Sequence, residues 1–182
     1  MHAGEPFEIV EGECLRIPFD KTLTCLGDLA TKKTLVVAII GEQSSGKSTL
    51  LNYVWGTQYS TSAGRCTKGI YGTILPLKEQ DDFDQILLLD TEGIQSIERK
   101  DDLFFDRCLC LFLLCVSHLV IINNEGNFRE AMKNTVQITL SCWEDLQVQR
   151  VNNPSLFFVL NKLSSINPNE LAEHIEKLND QL

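Results

Sequence analysis

Gly41-Glu42-Gln43-Ser44-Ser45-Gly46-Lys47-Ser48 reads G-x-x-x-x-G-K-S, the spacing of a phosphate-binding loop. Ahead of it runs Leu35-Val36-Val37-Ala38-Ile39-Ile40, apolar and rich in β-branched residues. Such a run suits a strand buried on both faces of a parallel sheet. Behind it, Leu50, Leu51, Val54 and Trp55 recur at helical spacing between Lys47 and Trp55. The loop therefore lies between a strand and a helix, the context in which the motif means something. Gly41 and Gly46 let the backbone turn tightly with its N–H groups inward, where they and the positive helix end hold phosphate oxygens. Glu42, Gln43, Ser44 and Ser45 form the turn itself, and Thr49 follows in the first turn of the helix. Lys47 is expected to reach the β- and γ-phosphates, and Ser48 to offer its hydroxyl to Mg²⁺. The plainer alternative is a Gly/Ser turn that binds nothing, and the flanking elements weigh against it.

The chain has 182 residues, one domain's worth, and its 43% hydrophobic and 23% charged composition is that of an ordinary globular protein. The net charge is −9, and no Lys/Arg cluster exceeds Lys32-Lys33, which argues against an extended nucleic-acid surface. Seven cysteines, an odd count without C-x-x-C spacing, read as reduced core thiols of a cytoplasmic protein. Met1 to Asp20 is mixed and acidic, unlike a secretory signal. Leu103 to Ile122 is apolar enough to raise a membrane question, but Asp106, Arg107, Ser117 and His118 interrupt it. A buried helix followed by a buried strand accounts for it better, and no membrane contact is expected from the domain itself.

In order, residues 1 to about 12 carry little pattern and read as a frayed lead-in. Glu13 to Asp28 suits either a segment packed beside the sheet or an edge strand. Gly56 is placed to cap the first helix. Thr57 to Gly69 is polar, and Ile70 to Leu77 alternates as a strand does. Gln85 to Asp90, Leu119 to Ile122 and Leu156 to Leu160 are short apolar runs that suit buried strands. Helices are expected over Leu103 to Leu114, Phe128 to about Arg150, and after Asn169. The alternation predicts an α/β fold of three layers, a mostly parallel central sheet with helices on both faces. Residues 1–34 form a lead-in beside the sheet, and 35–182 the nucleotide domain.

Ligands in such sheets bind at the carboxyl ends of strands, where the polar residues fall. Asp90 ends a buried strand and Gly93 follows it. There a carboxylate can hold Mg²⁺, usually through a water, and a glycine can bring its N–H to the γ-phosphate. D-x-x-G alone is weak and a turn cap explains it equally well; after a phosphate-binding loop it becomes specific. Thr67, in the polar stretch between the two, is the candidate third contact, its hydroxyl on Mg²⁺ and its backbone on the attacking water.

GEQSSGKSTLLN, SAGRCTKG and LLLDTEG together resemble the dynamin-related large GTPases over about Leu35 to Leu163. They are most similar to the guanylate-binding, atlastin and very large interferon-inducible branches. The resemblance implies hydrolysis of GTP to GDP with Mg²⁺ and a homodimer formed across the nucleotide face. It assigns phosphate and Mg²⁺ contacts to Lys47, Ser48, Thr67, Asp90 and Gly93, and places Glu92 at an acidic position of unassigned role. A domain of this kind has a further strand and helix after Leu182, so a truncated domain with an exposed sheet edge is expected.

Two departures stand out. Guanylate-binding proteins and atlastins carry a finger arginine at the Ser44 position. Gln43-Ser44 is the dynamin-like version, which implies chemistry through Ser44 with a monovalent cation, or through Arg65 of the switch segment. Most GTPases also end the last of these strands with N-K-x-D, whereas Asn161-Lys162-Leu163-Ser164 lacks the carboxylate. Asn161 can still offer its amide to the base and Lys162 can lie over its plane; a turn residue after the strand is the alternative for Asn161. Three functions stay open: a GTPase with Lys47, Thr67, Gln43 and Ser44 as catalytic groups, in which Gln43 or Glu92 helps Thr67 orient the water, a nucleotide-binding interaction module with little hydrolysis, and an ATPase.

Overall fold

The computed structural model describes residues 4–18, 20, 22, 24, 27, 31–61, 67–78, 82–94, 102–125, 134, 137–144, 153–162, 169 and 172. Its elements are β1 (Phe7–Glu11), β2 (Thr34–Ile40), α1 (Lys47–Trp55), β3 (Gly69–Pro76), β4 (Gln85–Thr91), α2 (Leu103–Val116), β5 (Leu119–Glu125) and β6 (Ser155–Asn161). Residues 137–144 are helical as well, within the longer helix expected there. Arg65 and Cys66 lie outside the described residues, as does most of the expected terminal helix.

The six strands form one sheet in the order β1-β3-β4-β2-β5-β6. β4, β2, β5 and β6 run parallel; β3 pairs antiparallel with β4 and β1 antiparallel with β3, so β3 is the reversed strand. The sheet is therefore mixed, because the acidic connection from β3 to β4 is too short for a crossover. Leu77 N–H donates to Asp84 O (2.9 Å) to close that hairpin.

Strand alternation divides the core. Val37, Ile39, Leu88 and Ile121 face one side, where Leu51 of α1 meets them. Ala38, Ile40, Leu87, Leu89 and Val120 face the other, where Leu109, Leu113 and Leu114 of α2 cover them. Both helices stop or start where the sequence says. Gly56 takes φ 69 and returns its N–H to Asn52 O, and Asp102 accepts the N–H of Phe105 (3.1 Å). Where the β2–β5 ladder begins, His118 extends it with both ends. Its N–H donates to Val36 O (2.9 Å), and its Nδ1 accepts the N–H of Val36 (3.0 Å). Among the described residues no helix is long and apolar enough to cross a membrane.

The N-terminal stretch departs from expectation. Phe7–Glu11 is not frayed but pairs with β3, and Phe7, Ile9 and Val10 are buried. A bulge between Glu8 and Val10 puts two successive apolar residues inward, which erases the alternation that marks a strand. Gly72 makes room for it, since a Cβ there would lie 2.5 Å from Ile9 Cδ1. Farther on, Glu11 and Arg16 form an isolated bridge, and residues 20, 22 and 24 are helical. Ile9→Ala should cost about 2–4 kcal/mol in urea unfolding, as a buried aliphatic truncation does. A loss under about 0.5 kcal/mol would mean that the strand is not docked in solution.

Candidate functional site

The loop's shape starts with its glycines. Gly46 caps α1 at φ 86 with no side-chain cap, leaving the first-turn N–H groups for an anion. Ser44 is also left-handed, at φ 61, and exposed. Gly41 is crowded for another reason: a Cβ there would lie 2.1 Å from Asn123 O. Gly93 packs the segment after β4 against the loop, where a Cβ would come within 2.2 Å of Gln43 Cα. Beside it Ile94 N–H donates to Gly41 O (3.1 Å). Gly93 is thus needed for packing as well as for any approach of its N–H to phosphate.

Lys47 is buried along the loop, its Nζ donating to Glu42 O (2.8 Å) and Gly41 O (3.2 Å). Burial lowers its pKa to about 8, against the opposing pull of Asp90, Glu42 and Glu92. Asp90 is fully buried, and one of its oxygens collects two hydroxyls. Oδ2 accepts from Ser48 Oγ (2.6 Å) and from Thr67 Oγ1 (3.0 Å), and the two hydroxyls are 3.4 Å apart. Its other oxygen, Oδ1, is buried with no hydrogen-bond partner. Burial raises the Asp90 pKa, and the bonds from Ser48 and Thr67 work the other way.

Three oxygen-bearing groups from α1, the approach to β3, and the end of β4 therefore converge. Hard cations such as Mg²⁺ take such oxygens. The unpartnered Oδ1 and the neighbouring hydroxyls fit that ion. Thr49 is exposed in the first turn of α1, apart from this cluster.

Asn161 and Lys162 sit against the loop itself. Asn161 Nδ2 donates to Ser45 O (3.3 Å) and its Oδ1 accepts the N–H of Lys162 (2.8 Å). Lys162 Nζ donates to Ser44 O (2.6 Å) and pairs with Glu125 at 3.4 Å. In this arrangement both residues hold the loop. Asn123 was not singled out by its sequence, yet its Nδ2 donates to both Ser45 O and Ser45 Oγ at 3.0 Å. A polar pair ending an apolar strand beside the loop strand was the available signal. Glu92, of unassigned role in the sequence, is buried and receives the N–H of Gly69.

A strand–loop–helix anion cradle with a buried lysine, and a strand-end aspartate gathering two hydroxyls, define a P-loop nucleotide-binding domain. The chain belongs to the URGCP-like GTPase domain family, whose model matches residues 1–182. It is 34% identical over 174 residues to human interferon-induced very large GTPase 1, and 33% over 171 residues to the mouse protein. Each alignment covers 87% of this chain but only 7% of the relative. Protein sey1 of Schizosaccharomyces japonicus is 32% identical over 151 residues, covering 76% of this chain and 18% of its own. These relatives make it a domain of the dynamin-like large GTPases. In fold it resembles an Era variant from Aquifex aeolicus bound to GDP·AlF4⁻, with a TM-score of 0.59 and 23% identity. That match covers 82% of this chain and 48% of the other.

The Lys47 shift predicts a pH dependence. Phosphate needs the ammonium form, which the ligand-free protein loses as pH rises through about 8. Affinity for a fluorescent GTP analogue should then fall above that pH, approaching about tenfold per unit. Because the folded value lies below the unfolded 10.5, Lys47's contribution to stability rises with pH between about 8 and 10.5, the opposite sign. A flat binding profile to pH 10 would show that Lys47 keeps its proton.

Proposed function

We propose that this domain hydrolyses GTP to GDP and phosphate with Mg²⁺, and that a second copy docks over the nucleotide face during turnover. The observation that carries the reading is the meeting of the Ser48 and Thr67 hydroxyls on buried Asp90, beside buried Lys47. The loop N–H groups and Lys47 hold the β- and γ-phosphates. Ser48, Thr67 and Asp90 would hold Mg²⁺, whose charge offsets the negative charge that develops on the phosphate oxygens. The Thr67 backbone and Gln43 orient a water, which bonds to the γ-phosphorus as the bond to the β,γ-bridging oxygen breaks.

The base is assigned as guanine on the family, with Asn161 and Lys162 at the strand end where it would lie. The dimer rests on the resemblance to guanylate-binding proteins and atlastins, and on the exposure of Ser44 at the rim of the loop, open to a group from the second copy. The cytosol is the proposed compartment, supported by the reduced thiols at Cys14, Cys108 and Cys110.

A second reading, a nucleotide-binding module with little hydrolysis, is favoured by Ser44 standing where guanylate-binding proteins and atlastins carry arginine. Single-turnover phosphate release separates the two, since binding without chemistry over hours selects the second. Lys47→Ala should abolish GTP binding or turnover, and unchanged phosphate release would sink the proposal. Ser44→Arg should raise the single-turnover rate by about tenfold or more if the missing finger limits it. Competition between GTP and ATP checks the base, and a turnover rate that rises with protein concentration checks the dimer.

A further inference from the structure

Glu92 is a fully enclosed carboxylate whose place in the site follows from what surrounds it. Its Oε2 accepts the N–H of Gly69 (2.9 Å), and its own N–H donates to Gly69 O (2.7 Å). One residue thus engages both polar groups of the Gly69 peptide. Gly69 is left-handed at φ 80, and a Cβ there would lie 2.1 Å from Val10 O and 2.6 Å from Gly12 N. At Gly12 a Cβ would lie 2.4 Å from Gly69 N and 2.8 Å from Glu92 Oε2. Three segments, the turn after β1, the entry to β3 and the end of β4, close on this carboxylate without room for a side chain.

Thr67 stands two residues before Gly69, and Asp90 two residues before Glu92. The bonds Thr67–Asp90 and Glu92–Gly69 therefore complete a small ring through the backbone. Two residues span at most about 7 Å, so fixing Gly69 confines where the Thr67 hydroxyl can go. Leaving that buried N–H without an acceptor of the right reach is costly.

We propose that Glu92 is a positioning residue: by pinning Gly69 it presents the Thr67 hydroxyl to Asp90 and Ser48, and it does so by reach and acceptor geometry rather than by charge on the attacking water. The inference rests on the GTPase reading of this site and gives a task to the acidic residue that follows Asp90-Thr91.

The test is Mg²⁺-dependent binding of a fluorescent GTP analogue to the full chain. It compares wild type, Glu92→Gln, Glu92→Asp, Thr67→Ala and Glu92→Asp with Thr67→Ala, each against an EDTA reference and checked for folding by circular dichroism. Glutamine keeps the length and an acceptor oxygen; aspartate keeps the charge but falls a methylene short. Glu92→Gln should bind Mg²⁺-nucleotide like wild type. Glu92→Asp and Thr67→Ala should each need about tenfold more Mg²⁺. The double variant should be no worse than either, with affinity in EDTA unchanged for the two Glu92 single variants. The reverse pattern, aspartate intact and glutamine impaired, would overturn the inference, as would both behaving like wild type while Thr67→Ala is impaired. Mg²⁺-independent binding by wild type would instead remove the GTPase reading beneath it, and the inference with it.

Discussion

The fold encloses the Asp90 carboxylate away from water, and much of the site is arranged around it. Asp90 is fully buried, so its charge must be met by donors or by a cation. The donors come from two different parts of the chain, Ser48 in the first turn of α1 and Thr67 ahead of β3. They reach the same oxygen because β4 lies between β2, which feeds α1, and β3. Burial also strips Lys47 of part of its basicity. A dry cation and a dry anion in one cleft are costly in the ligand-free protein. In the proposed function, phosphate and Mg²⁺ relieve both costs at once, which ties ligand binding to the site's electrostatics.

The loop that carries Lys47 is not held by local forces. Its backbone is left-handed at Ser44 and at Gly46, and a turn of that kind persists only when its surroundings over-determine it. The surroundings here are the ends of three strands. Asn123 and Asn161 both donate to the Ser45 carbonyl, Lys162 to that of Ser44, and Gly93 abuts Gln43. A substitution in β5 or β6 thus acts on phosphate binding although neither strand belongs to the loop motif. This also changes the meaning of Asn161-Lys162: without the usual carboxylate after it, the pair still does structural work at the loop.

Much of the fold was legible because its signals are local. The apolar runs at Leu35–Ile40 and Gln85–Asp90, and the helix from Lys47 to Gly56, fall where their patterns place them, within a residue or so. The strand at Phe7–Glu11 was hidden by its bulge, which turns Ile9 and Val10 to the same side. β5 runs on to Glu125, past the end of its apolar stretch, since pairing with β6 sustains it where hydrophobicity no longer does. Lys47, Ser48, Thr67 and Asp90 were readable as a candidate set from their residue types and order along the chain, and the structure brings the four together.

By itself, then, the sequence determined the family, the strand–loop–helix around Gly41–Ser48 and the candidate residues for the proposed chemistry, all of which depend on side-chain type and spacing. Only the tertiary structure decided how Gly41–Ser48 is held. Asn123, Asn161, Lys162 and Gly93 are far from the loop in the chain, and their contacts with it depend on strand order and register. The same holds for Glu92, whose carboxylate has a task only because the sheet brings Gly69 and Gly12 beside it. Periodicity carries information about which face a residue occupies; which distant backbone group it meets there is set by packing.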